Sequence, residues 1–146
     1  MIYYYACSYP LASASIVEKG NWGRICRLEP LSSPRLIMEM VFENIRLKDF
    51  PERSSRFDCN FVCPNIASLR HFVVSCGRPF DLLYEVEIVN SGAKMLETDW
   101  TLPSSTHPNI KVLEEVARRY WNPGIVEEKV REVLTESSIR ITKRLP

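Results

Sequence analysis

Two hydrophobic periods run through these 146 residues without taking strict turns. Strand-like alternation marks the start, two mid-chain segments and the end, and helical spacing lies between them. The order reads strand, helix, strand, helix, strand, long polar stretch, helix, a short mixed segment, strand. Regular strand–helix alternation would build a doubly wound parallel sheet. This order points instead to an α+β domain spanning residues 1–146.

Residues 2–8 are aromatic and apolar, and short enough for a strand. "EKGNWGR" (18–24) reads as a turn delivering Trp22 and Arg24. In "SSPRLIMEMVFENIRLKDFP", Ser33 suits an N-cap with Pro34 at the first helical position. Leu36, Ile37, Met40, Val41 and Ile45 then share one face of the predicted helix, which Pro51 closes. "SRFDCNFVC" (55–63) alternates, with Phe57, Cys59, Phe61 and Cys63 opposite Arg56, Asp58 and Asn60. "NIASLRHFVVSCG" predicts a short helix with Gly77 past its end. "LLYEVEIVN" alternates as a strand. Residues 91–109 are polar and predict a long loop. "IKVLEEVARRYW" has an apolar face of Ile110, Leu113, Val116, Ala117 and Tyr120. After "NPG", "IVEEKVREVL" fits either a helix or a helix joined to a strand, and "SIRITKRL" closes with a strand.

The formal net charge of +1 makes no global field toward nucleic acid or anionic membrane, although a local basic patch stays open. Five cysteines lie mostly in apolar stretches, and their spacing forms no zinc-ribbon pairs. They read as free thiols of a reducing, cytoplasmic setting, with no metal expected. No apolar run approaches a membrane span, and the N-terminus has no signal-peptide pattern. The usual phosphate-loop, dinucleotide, zinc-protease and nucleophile-elbow motifs do not occur.

Nothing local pairs His71 or His107 with a thiol, so each reads as an ordinary core or surface histidine. Glu39 and Glu43 lie one turn apart with Arg46 nearby, which predicts a solvated, salt-bridged helix face. Glu127 and Glu128 read likewise, with Arg131. "FPERSSRFDCNF" sets Ser54, Ser55 and Arg56 at a strand entry. Hydroxyls and a guanidinium there suit a phosphate or ribose; the alternative is a turn with an exposed arginine. Tyr120 and Trp121 read first as core aromatics.

Five segments taken in order, "YYYACSYPL", "NWGR", "FPERSSRFDCNF", "RYWNPG" and "REVLTESSIRITK", resemble a small bacterial and phage-associated family, the domain of unknown function 2441. The pattern in turn resembles a short ADP-ribosyltransferase fold of the DarT type, whose members modify DNA. The resemblance spans residues 2–143. It implies a split, mostly antiparallel β core flanked by helices, with NAD held in a cleft as substrate. Glu132 matches the late catalytic acid, and Ser54, Ser55 and Arg56 match the middle element that holds the nicotinamide ribose. The first strand departs: Tyr5 stands where relatives carry His. It supplies a hydrogen bond without charge, and Arg24 or Arg27 is left to provide the cation. Tyr84 or Trp121 would stack on nicotinamide.

The resemblance implies a mono-ADP-ribosyltransferase acting on a nucleic-acid base or a protein side chain. Its alternative is an inactive module of the same fold that binds a nucleotide or a protein partner. A basic edge of Lys129, Arg131, Arg140, Lys143 and Arg144 tilts the acceptor toward nucleic acid. Toxin and phage counter-defence roles both fit, no membrane partner is expected, and the sequence leaves the oligomeric state open.

Overall fold

The structure is a computed structural model describing residues 1–146. Seven strands form two antiparallel sheets, with four α-helices packed around them. The four-stranded sheet runs β1 (Ile2–Cys7), β4 (Leu82–Ile88), β7 (Ile139–Arg144), β2 (Ile16–Val17). The three-stranded sheet runs β3 (Asn60–Val62), β6 (Arg131–Thr135), β5 (Met95–Asp99). This is an α+β fold in which every strand pair is antiparallel. The sheets meet at one isolated bridge: Tyr4 N donates to Cys63 O at 2.9 Å, and Cys63 N donates to Tyr4 O at 2.8 Å.

Residues on alternate faces of a strand enter different cores, as the period of two demands. On β6, Val133 joins Tyr3, Tyr84, Val86, Ile139 and Ile141 in the layer between the sheets. Leu134 faces the other way, into a core built with α2 (Pro34–Asp49) and α4 (Ile110–Trp121). Glu132 precedes Val133 and so shares the Leu134 face. A third, smaller core lies under α3 (Ile66–Ser75), where Leu69 and Val73 pack on Ala6 and Cys63.

Local signals explain the helices. Ser33 accepts the amide of Leu36 and Pro34 opens α2. Asn65 and Asn109 cap α3 and α4 in the same way. Gly77 follows α3 at φ +67°, a left-handed conformation that favours glycine.

Four readings of the sequence are corrected. Residues 18–24 are not only a turn: α1 (Asn21–Cys26) forms there, close against the Phe57 backbone. Residues 55–63 are not one strand. A 3-10 turn, Arg56–Asp58, precedes a short β3, so Arg56 and Asn60 are buried rather than outward. The long loop contains β5, held by pairing with β6. The phase of α2 also differs. Its buried side carries Met38, Phe42 and Ile45 with Glu39 and Arg46, while Ile37 and Met40 are exposed.

Candidate functional site

A cleft of about 870 Å³ opens where the two sheets meet. Its walls come from β1 and the residues after it, from α1, from the first turns of α2, from α3, and from residues 100–105. That volume lies in the range of small-molecule sites. Three charged side chains at its floor are nearly removed from solvent: Glu39 (1% exposed), Glu132 (7%) and Arg56 (8%).

Arg56 joins the two acids unequally. Its Nε donates to Glu39 Oε2 at 2.9 Å and its Nη2 to Glu39 Oε1 at 2.9 Å. The indole Nε1 of Trp22, on α1, donates to the same Glu39 Oε1 at 2.8 Å. On its other side, Arg56 Nη1 donates to the Tyr120 hydroxyl oxygen and stands 3.5 Å from Glu132 Oε1. Tyr120 passes its own proton on, donating to Glu132 Oε1 at 2.8 Å. The guanidinium also lies over the Phe61 and Tyr120 rings, 4.8 and 5.0 Å from their centroids.

This arrangement sets the ionisation of each group. Burial raises the Glu132 carboxyl above its usual range, and the Arg56 charge and the Tyr120 hydrogen bond hold it down in part. Burial likewise raises Tyr120 well above an ordinary phenol, so it stays a proton donor. Burial works against the Arg56 charge, but Glu39, Tyr120 and Glu132 together more than offset it, and Arg56 remains a cation. Glu132 is thus a carboxyl group held by a phenol, backed by a cation already engaged elsewhere, and facing a cleft.

Several residues expected at the site are here. Glu132 and Arg56 line the cleft, and so does Tyr5, whose phenol burial pushes up to about 12. Glu132 is the second residue of β6, paired to Thr98, so its segment takes the strand alternative. Arg56 serves the buried network rather than an open turn.

Other expected residues are placed elsewhere. Ser55 donates to Glu43 Oε2 at 3.0 Å and caps the 3-10 turn, and neither it nor the buried Ser54 lines the cleft. Arg24 and Arg27 are exposed outside the lining; the cations that reach it besides Arg56 are Arg35 and Arg78. Tyr84 and Trp121 are fully buried and offer no face for stacking. Tyr84 receives the Leu11 amide, and Trp121 Nε1 donates to Phe42 O. The aromatic side chains that line the cleft include Trp22, Phe72 and Trp100 beside Tyr5.

The sequence reading missed Glu39 and the Tyr120 hydroxyl. Glu43 does pair with Arg46, at 2.7 Å, but Glu39 faces inward. The signal available was the alternative stripe of Met38, Phe42 and Ile45, which carries Glu39 with it. His71 is exposed beside Trp100 rather than on a buried face, and His107 Nε2 bonds Leu102 O at 3.0 Å.

The basic edge is largely neutralised. Lys129, Arg131, Arg140 and Lys143 each stand within 4.0 Å of a carboxylate: Glu127, Glu97, Glu87 and Glu85 respectively. No helix is long and apolar enough to cross a membrane. No curated protein matches the chain. Residues 16–145, which carry every charged member of the floor, match a family described as protein of unknown function (DUF2441). The chain belongs to the DUF2441 family.

Proposed function

We propose that this protein is an NAD-dependent mono-ADP-ribosyltransferase with Glu132 as its catalytic carboxylate. The observation that carries this reading is a buried acid, Glu132, pinned by Tyr120 at the floor of a cleft between two antiparallel sheets. The three elements implied by the resemblance each bring a residue to the cleft, Tyr5 from β1, Arg56 from the middle element and Glu132 from β6, although Ser54 and Ser55 stay outside it. That juxtaposition supports a transferase-like fold.

The chemistry follows from the charges. Breaking the nicotinamide–ribose bond builds positive charge on the sugar, and a fixed, poorly solvated carboxylate stabilises it. Glu132 also accepts a hydrogen bond from a ribose hydroxyl. Arg35 and Arg78 are the cations in the walls that offset the pyrophosphate. Trp22, Phe72 and Trp100 give the bases aromatic surface and keep water out. The acceptor is a nucleic-acid base or a protein side chain. The pairing of the basic edge weakens the case for a nucleic-acid acceptor.

A second reading is an inactive module of the same fold that binds a nucleotide or a protein partner. It is favoured by Tyr5 at the first strand and by Ser55 bonding Glu43 instead of facing the cleft.

Labelled NAD with cell lysate, followed by nuclease or protease digestion, separates the two and identifies the acceptor. Transferase activity releases nicotinamide, and Glu132→Gln abolishes the release. The rate should climb with pH as Glu132 ionises, through a midpoint raised above an ordinary carboxylate. Binding without nicotinamide release establishes the second reading, and equal turnover by wild type and Glu132→Gln removes Glu132 from the chemistry.

A further inference from the structure

The floor of the cleft contains one more carboxylate than the transfer reaction calls for. Glu39 projects from α2, is almost completely enclosed, and lines the cleft together with Glu132. It touches Arg56 through three short contacts, whereas Glu132 has one contact with Arg56, at 3.5 Å. A guanidinium has two edges that match a carboxylate, and a carboxylate matched to one of them forms a strong, oriented pair. Glu39 fills the Nε–Nη2 edge, and Trp22 fixes Glu39 from the far side.

We propose that Glu39 is a positioning residue for Glu132: by filling that edge of Arg56 it keeps the guanidinium from closing on the acid, and so leaves the Glu132 charge free for a cation in the cleft. Two carboxylates and one guanidinium carry a net charge of minus one when all are ionised. Without Glu39 the same floor would be neutral, with Arg56 bonded to the carboxylate that must meet the developing positive charge. Tyr120 would then be the remaining partner keeping Glu132 turned outward.

The groups facing the pair come from every side. Around Glu132 stand Arg56 from the 3-10 turn, Tyr120 from α4, Asp99 from β5, Glu39 from α2, and the thiols of Cys63 and Cys76. Around Glu39 stand Arg56, Tyr120, and Trp22 and Cys26 of α1. Of these, Glu39 and Asp99 are the carboxylates that oppose ionisation of Glu132. Removing Glu39 both withdraws a like charge and frees its counter-charge, so both effects lower the pH at which Glu132 ionises.

The inference rests on reading Glu132 as the reacting acid, but its test does not need turnover. Carboxyl-carbon NMR of glutamate-labelled protein follows the titration of Glu132, whose signal is identified by its loss in Glu132→Gln. In Glu39→Gln the Glu132 midpoint should fall below that of wild type. The acid limb of NAD cleavage should move down with it, and kcat should drop while KM stays nearly unchanged. A folded Glu39→Gln whose Glu132 midpoint is unmoved or higher overturns the proposal. Should Glu39→Gln fail to fold, Glu39→Asp decides by the same criterion. It keeps the charge but draws it back from Arg56, and a smaller downward shift is expected. If wild type cleaves no NAD, the transferase reading fails while the midpoint still decides the role of Glu39.

Discussion

Replacing Arg56 with Met keeps most of the side-chain volume and removes the buried cation. Glu39 then loses its guanidinium contacts and retains the Trp22 indole; Glu132 retains Tyr120. Removing one partner of a buried pair costs about 3–5 kcal/mol, because a charge is left uncompensated away from water. Total stability for a chain of this size is about 5–15 kcal/mol. At about 2–4 °C per kcal/mol, the melting temperature should fall by about 6–20 °C at neutral pH. The pH dependence separates this cause from lost packing. The Glu132 carboxyl is already raised by burial and is held down by Arg56, so without Arg56 it rises further. A buried acid raised in this way stabilises the fold most below its unfolded pKa, and that contribution is lost as pH rises through the folded value. The Arg56→Met deficit should therefore be largest near about pH 8 and shrink toward about pH 5, as protonation relieves the orphaned carboxyls. Urea denaturation of both proteins across that range measures it. A deficit under about 1 kcal/mol, the scale of an exposed pair, or one independent of pH would refute the reasoning.

Glu132→Gln should be more stable than wild type above neutral pH and no more stable in acid, because wild type must ionise a buried carboxyl; parallel denaturant curves at both extremes check this. Tyr120→Phe removes a hydrogen bond to a charged acceptor, worth about 1.5–3 kcal/mol. If that bond orients the reacting acid, NAD cleavage should fall about 10- to 100-fold with KM little changed, in steady-state kinetics. Gly23→Ala places a Cβ against the Phe57 carbonyl and 3.0 Å from Phe57 Cα, where backbone must move. Overpacking of about 1–3 kcal/mol should lower the melting temperature by about 2–12 °C in a thermal melt.

What was legible in the sequence followed from signals that act locally. Ser33 with Pro34 opens α2 as expected, and α4 buries Leu113, Val116, Ala117 and Tyr120. The alternation of Tyr84 and Val86 against Glu85 and Glu87 was readable, as was that of Ile139 and Ile141 against Arg140. What escaped depends on partners distant in the chain. Residues Met95–Asp99 have little strand character, and become β5 because β6 offers them a ladder. The apolar stripe of α2 misled because a buried ion pair outweighed it. Arg56 draws Glu39 inward, Arg46 follows to reach the Arg53 carbonyl at 2.8 Å, and Ile37 and Met40 are left outside. Glu132 could be singled out by resemblance, but its surroundings could not, since Tyr120 and Trp121 look alike in sequence. The phenol reaches the acid while the indole is spent on the Phe42 carbonyl.

The charged floor joins α2, the 3-10 turn, α4 and β6, segments that chain formation leaves far apart. Closing such long loops costs entropy before any contact rewards it, and these contacts gain strength once water has left. The network therefore belongs to the final consolidation of the molecule. Interactions absent from the folding transition state slow unfolding and leave the folding rate nearly untouched. In kinetic terms, the cluster of Glu39, Arg56, Tyr120 and Glu132 acts on the lifetime of the native protein, not on how quickly it forms.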